Sequence, residues 1–169
     1  EATLERYGRL DVVVNNALPS YQFDPAAPYT SIETVDWAHF TQQIEGAVKG
    51  AFHTTRAVLP AMKAQGHGSI LNIATNLIFN PVVTYHDYTT AKAGLLGLTR
   101  TLAAELGPHS IRVNLIAGGL LRTTDASRVT TDEVFDLVAG STPLRRAISV
   151  EEFAESALFF ASDLSRAVT

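Results

Sequence analysis

Three short apolar stretches, each ending in polar residues or glycine, constrain the fold of this chain more than any other feature. They occupy residues 10–16, 69–75 and 111–116 and are rich in β-branched or other apolar side chains. Strands that alternate with helices pair in parallel, and their polar ends then meet at the carboxyl edge of one sheet. The pattern therefore predicts an α/β fold with a functional site along that edge.

The long segments between these strands carry helical signals. A capping box at residues 30–33 predicts the start of the first helical region, whose apolar residues recur at helical spacing until Gly66. A second helix is predicted over 84–106, where Gly107 and Pro108 stop it. Helices of this length between parallel strands fit βαβ crossovers.

Residues 118–143 follow the third strand and differ from the other connections. They contain a capping box at 130–133 and a short predicted helix at 134–139. An insertion of this length at the carboxyl edge of a sheet is typical of a lid. A last capping box at 149–152 predicts a helix that ends near Ala161.

Composition excludes several classes of function. The 169 residues are 46% hydrophobic and 18% charged, which fits one globular domain, and the net charge of −4 argues against a nucleic-acid-binding surface. Without cysteine, the sequence excludes disulfides and thiolate catalysis, and it is compatible with a cytoplasmic location. No apolar run is long enough for a membrane span.

The five histidines show no ligand spacing, so we expect them in solvent or loop roles and expect no metal site.

Tyr88 and Lys92 stand four residues apart near the start of the second predicted helix. This spacing places both side chains on one helix face, about 5–6 Å apart at Cβ. A nearby cation favours a phenolate, so we expect a pKa for Tyr88 below the usual value of about 10. Such a tyrosine can exchange a proton with a carbonyl or an alcohol. The same spacing also occurs on solvated helix faces, where the pair has no function.

In order and spacing, the Tyr88–Lys92 pair and the strand ends at 15–17, 72–75 and 114–119 resemble the motifs of the short-chain dehydrogenase/reductase family, in particular its 3-oxoacyl-(acyl-carrier-protein)-reductase-like branch. The resemblance covers nearly the whole chain. It implies a Rossmann-like, doubly wound parallel sheet with helices on both faces. It also implies an NAD(P)-dependent oxidoreductase that interconverts a ketone and a secondary alcohol, with NADP or NAD as cofactor. The implied substrate is a small-molecule carbonyl or an acyl-carrier thioester, although relatives that share these motifs act on many substrates.

The resemblance also implies roles for individual residues. Tyr88 would exchange the proton, and Lys92 would lower its pKa and hold the nicotinamide ribose. Thr75 stands thirteen residues before Tyr88, where the family has a serine that hydrogen-bonds the substrate carbonyl. Its hydroxyl could do the same, or it could satisfy local backbone at the strand end. The implied cofactor contacts are Asn16, Ala17, Tyr88, Lys92, Gly119, Leu121 and Thr123.

Three further positions depart from the family pattern. Ala47 stands where the family has an asparagine that anchors a relay water, Leu18 replaces a glycine, and Gly118 replaces a proline. These departures motivate an alternative, a catalytically impaired relative that binds nucleotide or partners only. Tyr21 and Phe23 follow the first strand and are interpreted either as a wall of the substrate pocket or as loop anchors.

Compared with the family pattern, the glycine-rich first half of the fold and its last strand are missing from this sequence. Residues 1–8 are predicted to be the last turns of a helix, and residues 1–169 the C-terminal two-thirds of a single Rossmann-like domain. Such a partial sheet would leave one edge exposed. In the family the two long helices pair between subunits, so we expect a homotetramer or homodimer.

Overall fold

The computed structural model describes residues 2–19, 21, 23–24 and 26–169. Of the helix predicted over residues 1–8, Glu1 lies outside the described residues. The helices and strands, in chain order, are α1 (Ala2–Tyr7), β1 (Val12–Asn15), α2 (Trp37–Ile44), α3 (Gly50–Gln65), β2 (Gly68–Thr75), α4 (His86–Leu106), β3 (Ile111–Gly118), α5 (Asp132–Ser141) and α6 (Val150–Ala161).

The three strands form one parallel sheet in the order β1-β2-β3. Val13 lies opposite Ile70, which in turn lies opposite Val113, so the three predicted strands are in register across the sheet. Every residue of the central strand β2 is buried. A parallel strand is buried in this way when helices cover both faces of its sheet, and the predicted α/β architecture is therefore confirmed.

Helices α3 and α4 cover one face of the sheet, and α6 covers the other. Successive residues of a strand point to opposite faces. Ile70 packs with the α3–α4 layer, whereas the Ser69 hydroxyl donates a 2.8 Å hydrogen bond to the carbonyl of Phe160 on α6. The buried core between the sheet and the α3–α4 layer contains Met62, Ile70, Leu106, Ile111 and Val113.

The first long helix begins later than the sequence predicted. The capping box expected at residues 30–33 is wrong, because Thr30 lies in a short 3-10 turn and its hydroxyl donates to the carbonyl of Ala27 at 2.8 Å. Asp36 caps α2 instead, and its carboxylate accepts from the His39 backbone N–H at 2.7 Å. Helix α2 therefore starts at Trp37 and not at the predicted box.

The other two predicted caps differ in outcome. Ser149 and Glu152 form a complete capping box at the start of α6, with reciprocal bonds of 3.1 and 2.9 Å between side chains and backbone N–H groups. Helix α5 starts at Asp132 and is longer than the predicted 134–139, and its N-cap residue Thr131 makes no side-chain capping bond.

A five-residue π-helical segment, Glu45–Lys49, joins α2 to α3. It brings Gly46 so close to the β1 loop that a Cβ there would collide with the ring of Pro19. It also buries Ala47 in a cluster with Ala91 and Leu95 of α4. The π-helical segment therefore packs both against the loop that follows β1, at Pro19, and against α4.

Candidate active site

A cavity of about 330 Å³ lies at the carboxyl ends of β2 and β3, beside the first turns of α4. Open α/β sheets bind their ligands at this edge. Six of the eight catalytic or cofactor-binding residues predicted from the sequence line it, namely Asn16, Thr75, Tyr88, Lys92, Gly119 and Leu121.

Two residues singled out as cofactor contacts do not line the cavity. Ala17 and Thr123 are exposed to solvent. Thr123 adopts a left-handed backbone with φ of 65°, and its hydroxyl donates to the carbonyl of the preceding Arg122 at 2.6 Å. A left-handed backbone is uncommon for a β-branched residue, and it turns the chain between the end of β3 and α5.

The environment of Tyr88 reverses the expected direction of its pKa. The side chain is buried, and desolvation raises its pKa to about 12, while a hydrogen bond from the Thr75 hydroxyl acts in the opposite direction. Lys92 does not lower the value as the sequence predicted. Its Nζ lies 5.8 Å from the centroid of the Tyr88 ring and donates instead to the carbonyl of Ile73 at 2.7 Å.

Lys92 is itself affected by burial. Only 4% of the residue is exposed, and desolvation lowers the pKa of its ammonium to about 8. The loss of hydration disfavours the charged form of both groups, so it raises the pKa of the acid Tyr88 and lowers that of Lys92. At neutral pH the phenol therefore keeps its proton beside an ammonium that is close to losing one.

Thr75 combines the two roles considered for it from the sequence. Its Oγ1 accepts a 3.3 Å hydrogen bond from the Leu77 backbone N–H at the strand end, and its hydroxyl reaches Tyr88. The residue ends β2 and is buried at the cavity wall. A single hydroxyl can both donate and accept, so the local capping bond leaves the donor free to act in the cavity.

An aromatic cluster surrounds Tyr88. Phe23 meets its ring edge-to-face at a centroid distance of 5.2 Å and also lines the cavity. Tyr21 lies behind it, with a centroid distance of 5.1 Å and an interplanar angle of 30°. Tyr85 packs against both Tyr21 and Phe23. Phe23 therefore forms a pocket wall, while Tyr21 is an anchor buried behind the site.

Sequence reasoning missed a buried acid next to this cluster. Asp87 is fully buried, and its Oδ2 lies 2.6 Å from Nδ1 of His39 on α2. Its Oδ1 accepts a 3.2 Å hydrogen bond from the Tyr21 hydroxyl. The expected solvent or loop role is therefore wrong for His39. His86 lies two residues before Tyr88 but does not line the cavity.

The segment predicted as a lid contributes apolar residues to the cavity. Leu120 and Leu121 follow β3, and Val134 and Val138 extend from α5. Phe23 is tied to this segment, since its backbone N–H donates to the carbonyl of Ala126 at 3.0 Å. The segment thus forms part of the cavity lining, and its movement as a lid stays a prediction.

The three departures from the family pattern all have packing consequences. Leu18 packs with the aromatic cluster and lines the cavity. Gly118 faces Phe153 of α6, where an added Cβ would lie 2.5 Å from the ring, so its missing side chain permits close packing. Ala47 packs against α4 and carries no group that could hold a water.

Two classes of site are not found. Among the described residues, no group of three or more His, Cys, Asp or Glu side chains could hold a metal ion. Searched over the same part of the chain, the helices include none with the length and apolarity to cross a membrane.

Proteins of similar sequence and proteins of similar fold identify the family of this chain. The family model described as enoyl-(acyl carrier protein) reductase matches residues 1–169. The chain is 35% identical over its whole length to 3-oxoacyl-(acyl-carrier-protein) reductase FabG from Thermotoga maritima, and covers 65% of that protein. It is 36% identical over 99% of its length to trans-4-hydroxycyclohexanecarboxylate dehydrogenase from Sinomonas cyclohexanicum, and covers 60% of it.

Solved structures agree with the fold. A gluconate 5-dehydrogenase from Burkholderia cenocepacia, in complex with NADP and tartrate, superimposes with a TM-score of 0.86 and 27% identity, over 99% of this chain and 64% of that one. The chain thus spans less than two-thirds of the length of the relatives described. With a parallel sheet, Tyr88, Lys92 and Thr75 at its carboxyl edge, and a family model that matches from end to end, the chain belongs to the short-chain dehydrogenase/reductase family.

Proposed function

We propose that the protein is an NAD(P)-dependent oxidoreductase that interconverts a ketone and a secondary alcohol. The observation that carries the proposal is the convergence of Tyr88, Thr75 and Lys92 on one cavity at the carboxyl edge of the sheet. A phenol, a hydroxyl donor and an ammonium are the groups needed to move a proton to a carbonyl oxygen and to orient it.

The cavity fits the nicotinamide half of NADP or NAD. Lys92 offers an ammonium to the ribose hydroxyls, and Asn16 offers an amide at the end of β1. The backbone of Gly119 is open to the cofactor, since an added Cβ there would meet only the Asn76 side chain, at 3.8 Å. The bound cofactor would supply or accept the hydride. The NADP complex of the gluconate dehydrogenase relative supports this choice of cofactor.

In the direction of reduction, Tyr88 donates its proton to the carbonyl oxygen. Its raised pKa keeps the phenol protonated at neutral pH. The single proton of the Thr75 hydroxyl can hydrogen-bond that oxygen before the transfer and the Tyr88 phenolate after it, which stabilises the phenolate. Lys92 Nζ lies 5.8 Å from the centroid of that ring, where it can hold the nicotinamide ribose beside Tyr88.

The lining of the cavity supports a substrate with a neutral, apolar body. Among the described lining residues Lys92 carries the only charge, and Phe23, Leu77, Val82 and Val134 are typical of the remainder. A 3-oxoacyl chain meets this description, and so does an alicyclic ketone. The FabG and cyclohexanecarboxylate dehydrogenase relatives bear names that correspond to these two classes.

Replacing Tyr88 with phenylalanine in the full-length protein tests the proposal. A 3-oxoacyl thioester and an alicyclic ketone are each assayed with NADPH and NADH. We expect Tyr88→Phe to lower kcat by at least about 100-fold, because the general acid is lost. Tyr7→Phe is the control, since Tyr7 is 64% exposed on α1.

A second candidate, a catalytically impaired relative, is favoured by Ala47, which packs against α4 where the family relay uses an asparagine. If the full-length wild type shows no cofactor-dependent turnover that Tyr88→Phe abolishes, the proposed enzyme activity is refuted. Nucleotide binding by the same sample would then support the impaired relative.

We also propose that the protein is a cytoplasmic homotetramer or homodimer. Trp37 of α2 and Phe52 of α3 are 74% and 45% exposed. Large apolar side chains exposed on one layer are typical of a surface that another chain covers.

A further inference from the structure

The fully buried carboxylate of Asp87 has no part in the proton transfer proposed above. It lies one residue before Tyr88 in the first turn of α4. Its two oxygens contact different segments of the chain: Oδ1 accepts from the Tyr21 hydroxyl at 3.2 Å, and Oδ2 lies 2.6 Å from His39 Nδ1. Burying a carboxylate costs free energy unless partners compensate it, and both partners here come from outside α4.

The contact with Tyr21 reaches the proposed proton donor. Tyr21 is 6% exposed, and its ring packs at 5.1 Å against Tyr88 and at 5.4 Å against Phe23. Burial and the Asp87 charge both raise the pKa of Tyr21, which therefore stays a neutral hydrogen-bond donor. Asp87 thus holds the hydroxyl of a ring that supports the Tyr88 ring.

Tyr21 needs such a tether because of its place in the chain. It lies between β1 and the 3-10 turn at Pro28–Thr30 and belongs to no helix or strand of the described residues. A hydrogen bond to a charged, buried acceptor is stronger than one between neutral groups. Asp87 is held in α4 beside Tyr88, so its hydrogen bond from Tyr21 fixes Tyr21 relative to that helix.

His39 completes the arrangement from the other side. Its ring stacks on Tyr29 at a centroid distance of 4.5 Å and an interplanar angle of 8°, which holds Nδ1 against the carboxylate. Its side chain is 26% exposed, so the imidazole links the buried acid to the protein surface.

We propose that Asp87, in contact with His39, is a positioning residue that fixes the Tyr88 ring for proton transfer through Tyr21. The inference rests on the proposed function of Tyr88. A merely structural role would only join α2 and α4, and would leave the chemistry of the folded protein unchanged.

Three variants of the full-length protein separate the two roles. Asp87→Ala removes the acceptor, Tyr21→Phe removes the donor and keeps the ring, and Asp87→Asn keeps an acceptor for the Tyr21 hydroxyl. We expect the first two to lower kcat about tenfold, the double variant Asp87→Ala/Tyr21→Phe to lose no more than either, and Asp87→Asn to stay within about threefold of wild type. The KM for nucleotide should change less than about twofold.

The matched control is Thr99→Val. Thr99 is also a buried polar residue of α4, and its hydroxyl accepts from Asn72 at 2.8 Å, but it does not line the cavity. We expect Thr99→Val to lower thermal stability and to leave kcat unchanged. If folded Asp87→Ala keeps kcat within twofold of wild type, the positioning role is refuted.

A readout that does not need turnover separates this inference from the proposed function. In protein with isotope-labelled tyrosine rings, the Tyr88 signal is identified by its loss in Tyr88→Phe. We expect Asp87→Ala to shift that signal and to speed ring flipping, whereas Thr99→Val leaves it in place. An unchanged Tyr88 signal in Asp87→Ala would overturn the inference even if the wild type is active. A shifted signal in an inactive wild type would support the positioning and refute only the proposed enzyme.

Discussion

Replacing Lys92 with methionine should make the fold more stable while it disables the site. Only 4% of Lys92 is exposed, and its ammonium donates one hydrogen bond, to the carbonyl of Ile73. Methionine has a similar length and volume and carries no charge, so it can fill the same space without that desolvation.

The expected gain follows from the lowered pKa of Lys92. The value falls from 10.5 to about 8, and at about 1.36 kcal/mol per unit the charged form costs the folded state roughly 3 kcal/mol at pH 7. Losing the hydrogen bond to Ile73 removes about 1 kcal/mol of stabilisation. The free energy of unfolding of Lys92→Met should therefore exceed that of wild type by about 2 kcal/mol at pH 7.

The difference should depend on pH. Because the folded pKa is the lower one, the unfolded wild type binds more protons than the folded state between about pH 8 and 10.5. Wild-type stability therefore rises through this window. Lys92→Met has no such group, so its advantage should fall to about zero near pH 10.

Urea denaturation of wild type and Lys92→Met at pH 7 and pH 10, without added nucleotide, measures both effects. Lys63→Met is the control, because Lys63 is exposed on α3 and should change little at either pH. A Lys92→Met variant that is less stable than wild type at pH 7, or whose advantage is the same at both pH values, would show that desolvation does not govern this ammonium.

Two further predictions concern pH dependence and assembly. With the pKa of Lys92 at about 8, the KM for the nucleotide should rise above that pH, since the neutral amine no longer offers an ammonium to the ribose hydroxyls; a KM that is constant from about pH 7 to 9.5 would contradict this role of Lys92. Full-length protein should scatter light as a tetramer or dimer at micromolar concentration, and Trp37→Ser should weaken assembly; a monomeric wild type would refute the homo-oligomer.

Much of the fold was predictable because its signals are local. The apolar runs at 69–75 and 111–116 specify buried parallel strands, and the observed strands begin within one residue of them and extend two residues further in β3. Ser149 and Glu152 lie three residues apart, so their capping box could be recognised from the sequence alone. The box predicted at 30–33 failed because its residues also suit a local turn.

The chemistry of the site was less predictable because it depends on burial and on distant residues. The four-residue spacing of Tyr88 and Lys92 indicated proximity, but the direction of the Tyr88 pKa follows from packing by Tyr21 and Phe23 in the β1 loop. Asp87 and Tyr21 are 66 residues apart in sequence. No periodicity or motif joins residues so distant, and only the tertiary fold brings them together.

Burial of Tyr88 and Lys92 determines which proton state the site holds at rest. It moves the two pKa values apart, to about 12 and about 8, so at neutral pH the proton stays on the phenol. A protonated Tyr88 is ready to donate to a carbonyl, whereas accepting a proton from an alcohol first requires the phenolate. The same desolvation that makes charged Lys92 unfavourable in the folded state therefore prepares the site for reduction. Thr75 acts in the opposite direction, because its hydrogen bond to Tyr88 stabilises the phenolate and lowers the pKa that desolvation raises.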